Sequence, residues 1–224
     1  MAVAKWEDGE GPRQKLLARG VEALSDAELL AVLLRTGFPG CSALQLARRL
    51  LCQFDGLGGV FRADRSRLMD TPGVGEVKWA QLCVSLEMAR RLALETISST
   101  DILSSPQHTR RFLQLHLGAR QREVFCCLFL DSQHRLIRCD DLFWGTLDGA
   151  AVYPREVVVR ALQYSSAAVI FAHNHPSGVA EPSAADKRIT HRLQAALELL
   201  DIRVLDHIII GRGQEYSFAE AGLL

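Results

Sequence analysis

The stretch that decides the fold is His173-Asn174-His175-Pro176-Ser177-Gly178, with Pro182-Ser183-Ala184-Ala185-Asp186 following it. Residues 167–172, directly before it, form a short apolar run rich in β-formers, which predicts a strand buried on both faces. Side chains alternate along a strand, so His173 and His175 share one face at its end, about 6.6 Å apart. Two imidazoles at this spacing can converge on one metal ion.

A helix is predicted to begin near Ser183, because serine is a favourable N-cap residue and Pro182 precedes it. Asp186 lies on the same face as the apolar stripe of this helix and extends it toward the core. A carboxylate in that position requires compensation for its desolvation, and a metal ion would supply it. The stripe consists of Ile189, Leu193, Leu197 and Leu200.

These residues indicate a metal site formed by His173, His175 and Asp186. Three protein ligands leave the fourth position of a tetrahedral zinc ion to water, as in catalytic zinc sites. Each part also has a simpler interpretation: His173 alone is typical of a structural histidine, and Ser183 with Asp186 fits a helix capping box. The combination of the strand-end pair with the carboxylate favours the metal site.

Other metal motifs are not found. The chain contains no His-Glu-x-x-His, which argues against a zincin, and no Pro-Cys-x-x-Cys, which argues against a zinc deaminase. The literal string His-Asn-His does not indicate an HNH nuclease, because that motif is a set of dispersed positions.

The spacing of this site carries a resemblance to a known family. His-x-His, followed after ten residues by Asp with Ser three positions before it, resembles the JAMM motif of JAB/MPN metalloproteases. The fuller wording, His-Asn-His-Pro-Ser-Gly and Pro-Ser-x-x-Asp, is similar to the RadC branch of that group. The resemblance covers nearly the whole chain, since the N-terminal part also resembles RadC proteins. Three further stretches agree with it: Gly145-Thr146-Leu147, Pro154-Arg155-Glu156 and Asp206-His207-Ile208-Ile209.

The resemblance implies an α+β protein, in which a small all-helical domain precedes an α/β/α sandwich with a mixed sheet, of the JAB/MPN and cytidine-deaminase-like kind. It also implies one Zn²⁺ ion. In the JAMM pattern a glutamate near the start of the first strand moves the proton of the water, and Glu123 stands there. An exposed strand-edge charge is the alternative for Glu123, and Glu156 is a rival that the helix dipole also explains. By the same resemblance Ser183 helps to hold an oxyanion.

Composition limits the class of protein. The 224 residues are 48% hydrophobic with a formal net charge of +0, and residues 1–100 carry 13 Lys/Arg against 12 Asp/Glu, so a strongly basic nucleic-acid footprint is missing. No apolar run approaches the length of a membrane span, and the first 16 residues contain no signal-peptide core. The six cysteines show no paired spacing and are interpreted as reduced core residues, which favours the cytoplasm.

Two domains are predicted, over residues 1–97 and 102–224. The first is helical, with a capping box at Ser25-Asp26-Ala27-Glu28, a helix beginning at Ser42, and helices over 65–70 and 76–94. Residues 97–101 lack helical periodicity and are interpreted as a linker. The second, a JAB/MPN metal-dependent hydrolase domain, is predicted to contain a helix from Pro106, strands over 124–130 and 136–139, a helix from Pro154 and a late strand over 204–210.

The turn Thr71-Pro72-Gly73-Val74-Gly75 resembles a helix-hairpin-helix motif, which binds the DNA backbone without reading sequence. Glycines before a helix can expose amide groups to a phosphate, and Lys78 would assist. Glu76 and the bulky Trp79 argue against binding, and a tight helix–helix turn without a ligand is the alternative. Gly73, Gly75 and Lys78 are therefore candidates for contact with DNA.

Two functions follow from different parts of the chain. The first is a zinc-dependent hydrolase that cleaves a peptide or isopeptide bond in an unidentified protein or peptide, by means of metal-activated water. The second is a DNA-associated accessory protein that docks through its helical domain. Metal-bound scaffolding without turnover is a third, weaker interpretation. We assign no role to Asp206 or His207, and we interpret the remaining histidines, His108, His116, His134 and His191, as surface residues.

Overall fold

The computed structural model describes residues 11–98, 102, 105–145 and 152–224. Two compact units divide the chain, Met1–Met88 and Ala89–Leu224, and each is described separately. The division falls within one long helix. No helix among the described residues is long and apolar enough to cross a membrane.

The first unit is helical, as predicted. Its helices are α1 (Pro12–Arg19), α2 (Asp26–Leu34), α3 (Ala43–Gln53), α4 (Gly56–Arg62), α5 (Arg65–Met69) and the first part of α6 (Glu76–Ser98), with a short 3₁₀ turn over Val21–Ala23. Capping boxes begin α2 and α3: Ser25 pairs with Glu28, and Ser42 pairs with Gln45. Residues 12–95 were predicted to be helical throughout, but α1 and α4 were not delimited as separate helices, because α1 buries no residue and three glycines interrupt the pattern of α4.

A single apolar cluster holds these helices together. Its buried members come from five helices, α2 to α6, and from the turn before α6, and they include Leu30, Leu34, Leu46, Leu50, Val60, Leu68, Val74 and Leu82. Trp79 packs against the cluster, and the Arg65 guanidinium lies over its indole ring, 4.8 Å from the centroid. Trp79 is thus explained as a packing residue.

The second unit is built on a mixed five-stranded sheet with the order β2-β1-β3-β4-β5. The strands are β1 (Val124–Leu130), β2 (Leu136–Trp144), β3 (Ala168–Asn174), β4 (Arg203–Ile210) and β5 (Glu215–Ser217). Only β3 and β4 are parallel, and α9 (Ala184–Glu198) connects them; the other pairs are antiparallel. All seven residues of β1 and of β3 are buried, as expected of central strands covered on both faces.

Helices cover both faces of this sheet. On one face α7 (Pro106–Leu117) and the end of α6 pack against even-numbered residues of β1 and β3, such as Leu128 and Ile170. On the other face α8 (Pro154–Gln163) and α9 pack against odd-numbered residues, such as Phe129 and Phe171. The predicted fold class, a mixed-sheet α/β/α sandwich preceded by helices, is confirmed.

Several details of the prediction were wrong at the ends of elements. Strand β2 continues to Trp144, five residues beyond its predicted end, and β5 was not predicted. Helix α9 ends at Glu198, so Leu200 is not part of its buried stripe and is 40% exposed. Helix α6 continues to Ser98, into the segment interpreted as a linker, and residues 99–101 lie outside the described ranges. The domain bounds 1–97 and 102–224 stay a prediction.

The sequence analysis also misjudged the burial of two cysteines and one histidine. The cysteines were interpreted as core residues, but Cys52 and Cys83 are exposed. His116 was interpreted as a surface residue, but its side chain is only 11% exposed. Phe112 of the same helix stacks on its ring, and Asp141 of β2 lies against its Nε2, a contact that a local pattern does not reveal.

Substitution of Gly73 tests the role of the turn before α6. Gly73 has φ +89°, and a Cβ atom there would lie 2.3 Å from the Phe38 ring. We expect Gly73→Ala to lower the free energy of unfolding by roughly 1–3 kcal/mol, because it adds left-handed backbone strain and a steric clash. Chemical denaturation of the full chain measures this.

Gly75 provides the matched control, because a Cβ atom there meets nothing within 4 Å and its φ is not in the left-handed region. Gly75→Ala should change the stability by less than about 1 kcal/mol, because it adds neither left-handed strain nor a clash. Equal effects of the two substitutions would contradict the proposed packing role of Gly73.

Candidate metal centre

The end of β3 and the start of α9 bring together the three predicted ligands. His173 is the last but one residue of β3, His175 follows the strand, and Asp186 lies in the first turn of α9. Their ligand atoms all lie within 4.8 Å of one another. Nε2 of His173 is 2.9 Å from Nε2 of His175 and 3.3 Å from Oδ1 of Asp186. The structure therefore places two imidazoles and one carboxylate around one point.

Asp186 belongs both to this cluster and to the cap of α9. Its Oδ2 accepts the Ser183 N–H at 2.7 Å and the Ser183 hydroxyl at 2.6 Å, and its own N–H donates to Ser183 Oγ at 3.1 Å. These bonds form the capping box that the sequence predicted as the alternative to a metal site. The two interpretations are compatible, because Oδ2 serves the cap while Oδ1 faces His173.

A buried hydrogen-bond relay fixes the tautomer of His173. Thr190 Oγ1 lies 2.6 Å from the Asp186 carbonyl oxygen and 2.6 Å from Nδ1 of His207. A carbonyl can only accept, so the hydroxyl donates to Asp186 and accepts the Nδ1–H of His207. Nε2 of the neutral His207 ring then accepts the Nδ1–H of His173 at 2.8 Å. Nε2 of His173 is left with a lone pair.

His207 is kept neutral by its surroundings. Burial is the main cause that lowers the pKa of His207 well below its ordinary value. Phe125, Phe171 and Phe218 pack around its ring, with centroids at 5.5, 5.9 and 4.9 Å. A neutral His207 is the form that the relay requires.

The tautomer of His175 is set by a backbone contact. Its Nδ1–H donates to the Val179 carbonyl at 2.8 Å, so Nε2 of the neutral ring also carries a lone pair. Two nitrogen lone pairs 2.9 Å apart repel each other, and the Asp186 carboxylate adds a third acceptor beside them. Such a set is stable only around a cation. The donor types and their geometry fit a divalent metal ion.

The pKa values of His175 and Asp186 are both shifted by their mutual contact. The hydrogen bond to Asp186 raises the pKa of His175, although burial opposes this effect. Burial by itself would raise the pKa of Asp186, but hydrogen bonds from His173 and His175 outweigh it, so this pKa lies well below its ordinary value. Both shifts reflect the attraction between an imidazole and a carboxylate, and a metal ion that binds these atoms would compete with protons for them.

A cleft of about 820 Å³ opens over this cluster and contains the predicted base. Glu123 lines the cleft together with His173, His175 and Asp186, and its charge contributes to the raised pKa of His175. Glu156, the rival glutamate, is exposed on α8 and paired with Arg155 at 3.1 Å, and it does not line the cleft. The structure thus brings Glu123, rather than Glu156, to the ligand cluster.

Asn174 fixes the backbone on both sides of Glu123. Its Oδ1 accepts the Val124 N–H at 2.9 Å, and its Nδ2 donates to the carbonyl oxygens of Arg120 and Arg122 at 3.2 and 3.1 Å. Asn174 is 2% exposed, so these bonds form in a buried environment. The residue between the two histidines therefore holds the segment that carries the candidate base.

Ser183 lines the cleft, but its hydroxyl is engaged within the capping box. It donates to Asp186 and accepts the Asp186 N–H. Stabilisation of an oxyanion would require the hydroxyl proton to turn away from the carboxylate. The catalytic role of Ser183 stays a prediction, whereas its role in the cap of α9 is observed.

Sequence analysis missed three residues that support the site: His207, Thr190 and Asn174. Polar side chains within the apolar runs 168–174 and 204–210 were the available signal, because buried polar groups need partners. Asp206, by contrast, is structural. Its carboxylate accepts hydrogen bonds from the His207 N–H, the Ala219 N–H and the Ser217 hydroxyl, at 2.7, 3.0 and 2.7 Å.

The candidate DNA-contact residues have structural partners in the turn before α6. Lys78 Nζ donates to the Gly73 carbonyl at 2.9 Å, and Glu76 Oε1 pairs with Arg65 Nη2 at 2.8 Å. Gly73 is required by its backbone conformation and by Phe38, as described above. These contacts favour the interpretation as a tight turn, and DNA binding through Gly73, Gly75 and Lys78 stays a prediction.

Comparison with known proteins agrees with this architecture. Residues 103–223 match the family described as "RadC-like JAB domain", and residues 3–80 match "UPF0758 N-terminal". Similar proteins include a UPF0758 protein of Nitrosococcus oceani, 55% identical, and one of Nitrosospira multiformis, 54% identical, each aligned over 224 residues with both chains fully covered. A UPF0758 protein of Tolumonas auensis is 53% identical over the same length.

The sandwich and the histidine–aspartate cluster thus define a JAB-domain protein. Within that class, the chain belongs to the RadC family, with the UPF0758 type of N-terminal region.

A substitution of His207 tests the relay. His207→Leu removes the acceptor for the His173 Nδ1–H and leaves that ring free to rotate or to change tautomer. We expect zinc affinity to fall by roughly 10–100-fold, the usual effect of losing a hydrogen-bond partner behind a metal ligand. Competition with a chromophoric chelator measures this affinity.

His207→Gln is the conservative partner in that experiment, because its amide oxygen can accept the same hydrogen bond. It should retain more of the affinity than His207→Leu. Exposed His191→Gln should leave it unchanged. If His207→Leu remains folded by circular dichroism and binds zinc as tightly as the unmodified chain, the relay does not position His173.

Proposed function

We propose that this protein is a zinc-dependent hydrolase that cleaves a peptide or isopeptide bond by means of metal-activated water. The observation that carries the proposal is the convergence of three lone-pair donors, on His173, His175 and Asp186, inside a cleft that also contains Glu123. Three protein ligands leave a coordination position for water, which is the arrangement of catalytic rather than structural zinc sites.

The donor set supports one zinc ion. Two imidazole nitrogens and a carboxylate oxygen are typical zinc ligands, whereas calcium and magnesium sites consist mainly of oxygen ligands. The relay behind His173 and the Val179 carbonyl behind His175 orient both rings, as outer hydrogen bonds do in known metal sites.

Zinc lowers the pKa of a bound water toward ~7, which makes a nucleophile available at neutral pH. Glu123 accepts the proton of the attacking water and returns it to the departing amine nitrogen as the C–N bond breaks. Asn174 holds Glu123 in place through the backbone on either side of it. Since Asn174 contacts only backbone groups there, it acts as a positioning residue.

The charge of the cleft supports a preference among substrates. Arg188 and Arg192 lie one helical turn apart on α9, and both line the cleft. Within the described residues neither has an ion-pair or hydrogen-bond partner, so both guanidinium groups are available to a substrate, beside the Glu123 and Asp186 carboxylates that also line the cleft. We propose that they bind a carboxylate of the substrate near the scissile bond, since guanidinium groups match carboxylates in geometry.

Substitution of Glu123 separates catalysis from metal binding. Glu123→Gln should retain zinc and lose hydrolysis by roughly 10²–10⁴-fold, because it removes only the proton carrier. The assay supplies a library of peptides and of peptides linked through lysine side chains, and it detects oxygen from labelled water in the new carboxyl group by mass spectrometry.

The matched variant, His173→Ala/His175→Ala, should lose both zinc and activity. Equal zinc content in this double variant and the unmodified chain would refute the ligand assignment. Turnover in Glu123→Gln at the original rate would place the base elsewhere, and zinc binding without incorporation of label from any substrate in the unmodified chain would favour a metal-bound scaffold.

The two arginines can be tested with the same library. Arg188→Gln/Arg192→Gln should raise KM for substrates with an acidic residue beside the scissile bond by about tenfold or more, as expected for loss of a charge-assisted hydrogen bond of 1.5–3 kcal/mol. Substrates with a neutral residue there should be cleaved as before. A uniform change for all sequences would contradict the assignment.

A further inference from the structure

A second group of metal-ligand residues lies on the opposite face of the central sheet from the candidate centre. A ring nitrogen of His116 and the Sγ atoms of Cys126 and Cys139 all lie within 4.8 Å of one another. They come from three elements, α7, β1 and β2. Cys126 belongs to the core cluster under α7, whereas Phe125, its neighbour in β1, faces the side of His173.

The imidazole of His116 is held in place but is not fully satisfied. Its Nε2 lies 2.5 Å from Oδ1 of Asp141, and its ring stacks on Phe112 with the centroids 5.3 Å apart. Its Nδ1 is buried and has no hydrogen-bond partner among the residues that the structure describes. A buried polar atom without a partner is destabilising, and a ligand bound to Nδ1 would remove this cost.

The two cysteines offer the complementary chemistry. Cys126 is fully buried in the central strand, and Cys139 is half-buried in the neighbouring edge strand. Register pairs Cys126 with Asp141 and Cys139 with Leu128, so all four side chains project from the same face of the β1–β2 hairpin. Both thiols are free, and Sγ with an imidazole nitrogen is the typical donor set of zinc.

We propose that His116, Cys126 and Cys139 form a second metal site, which binds a thiophilic divalent ion such as Zn²⁺. Each thiol releases its proton to solvent when its sulfur coordinates the ion. Asp141 keeps the imidazole in place through Nε2 and is itself paired with Arg120 Nη2 at 3.3 Å. This support resembles the carboxylate–histidine pairs behind zinc ligands in general.

The position of the site indicates a structural role. An ion there joins α7 to the first two strands, and thereby links one outer layer of the sandwich to the strand that follows Glu123. The ion can enter from the side of β2, because His116 and Cys139 are partly exposed while Cys126 is not. This proposal does not depend on the hydrolase activity, since it involves no residue of the candidate centre.

Cobalt distinguishes the two sites. A cysteine thiolate bound to Co²⁺ gives an intense charge-transfer absorption in the near ultraviolet, and the candidate centre contains no cysteine. The metal-stripped full chain is titrated with Co²⁺ under a thiol-free reductant. We expect this absorption to saturate at one equivalent per chain in the His173→Ala/His175→Ala variant, and by two equivalents in the unmodified protein, where the candidate centre also binds Co²⁺.

The ligands are then tested through the two partly exposed residues, which are less demanding to replace than Cys126. Cys139→Ser should abolish the absorption, and His116→Gln should weaken Co²⁺ binding by at least tenfold. Exposed Cys52→Ser is the matched control and should leave the titration unchanged. In the His173→Ala/His175→Ala variant, added Zn²⁺ should still raise the melting temperature, and Cys139→Ser in that background should remove this effect.

Absence of the charge-transfer absorption in the unmodified chain would overturn the proposal. This test does not depend on the folding of any variant. An absorption that persists in Cys139→Ser, or that is lost in Cys52→Ser, would also overturn it by assigning the thiolate elsewhere. Retention of the absorption in His116→Gln with unchanged affinity would remove His116 from the site. Failure of the hydrolase assay would not affect any of these results.

Discussion

The hydrogen bonds of the buried Asn174 side chain connect the two parts of the candidate site. The candidate ligands His173 and His175 lie at the end of β3, and the last residue of that strand is Asn174, whose side-chain amide makes three hydrogen bonds to residues 120–124. Glu123 lies within that held segment, before the first strand of the sheet. The distance between base and ligands is thus set by a central pair of antiparallel strands rather than by a loop. A rigid framework of this kind suits chemistry that tolerates little displacement.

The polar groups around the centre form a continuous network within an apolar layer. Thr190, His207 and His173 are almost completely buried, and each finds its partner in the next. In such an environment a missing partner costs more than the bond itself contributes, because the group cannot return to water. The loss of one partner therefore affects the whole network. The orientation of His173 depends on Thr190, although Thr190 does not line the cleft. The carbonyl of Asp186 closes the network, so the helix that carries the third ligand also holds the first.

The sequence predicted the parts of the site that are close along the chain. His173, His175 and Asp186 lie within fourteen positions, and the periodicity of one strand and one helix suffices to bring them together. His207 was not recognised, because its role depends on the parallel pairing of β3 with β4, and pairing across 34 positions leaves no local pattern. The fold class was implied by the resemblance and agreed with the predicted strands and helices, whereas α4 was not delimited and β5 was not predicted, because short or glycine-rich elements are defined by packing. At Gly73 the local pattern predicted more than the structure requires. The glycine pattern resembles that of phosphate-binding turns, but the contact with Phe38 is sufficient to explain this glycine.

The double role of Asp186 has a consequence for the lifetime of the protein. Its carboxylate both caps the first turn of α9 and faces the two histidines, so opening of that turn would also release a cation bound there as proposed. Any cation bound there stabilises the closed turn by mass action, in proportion to the logarithm of its concentration over its dissociation constant. Where degradation proceeds through locally opened states, the supply of metal then sets how fast the chain is removed. Through the cap of α9, a higher concentration of metal would thus raise the steady-state amount of the protein.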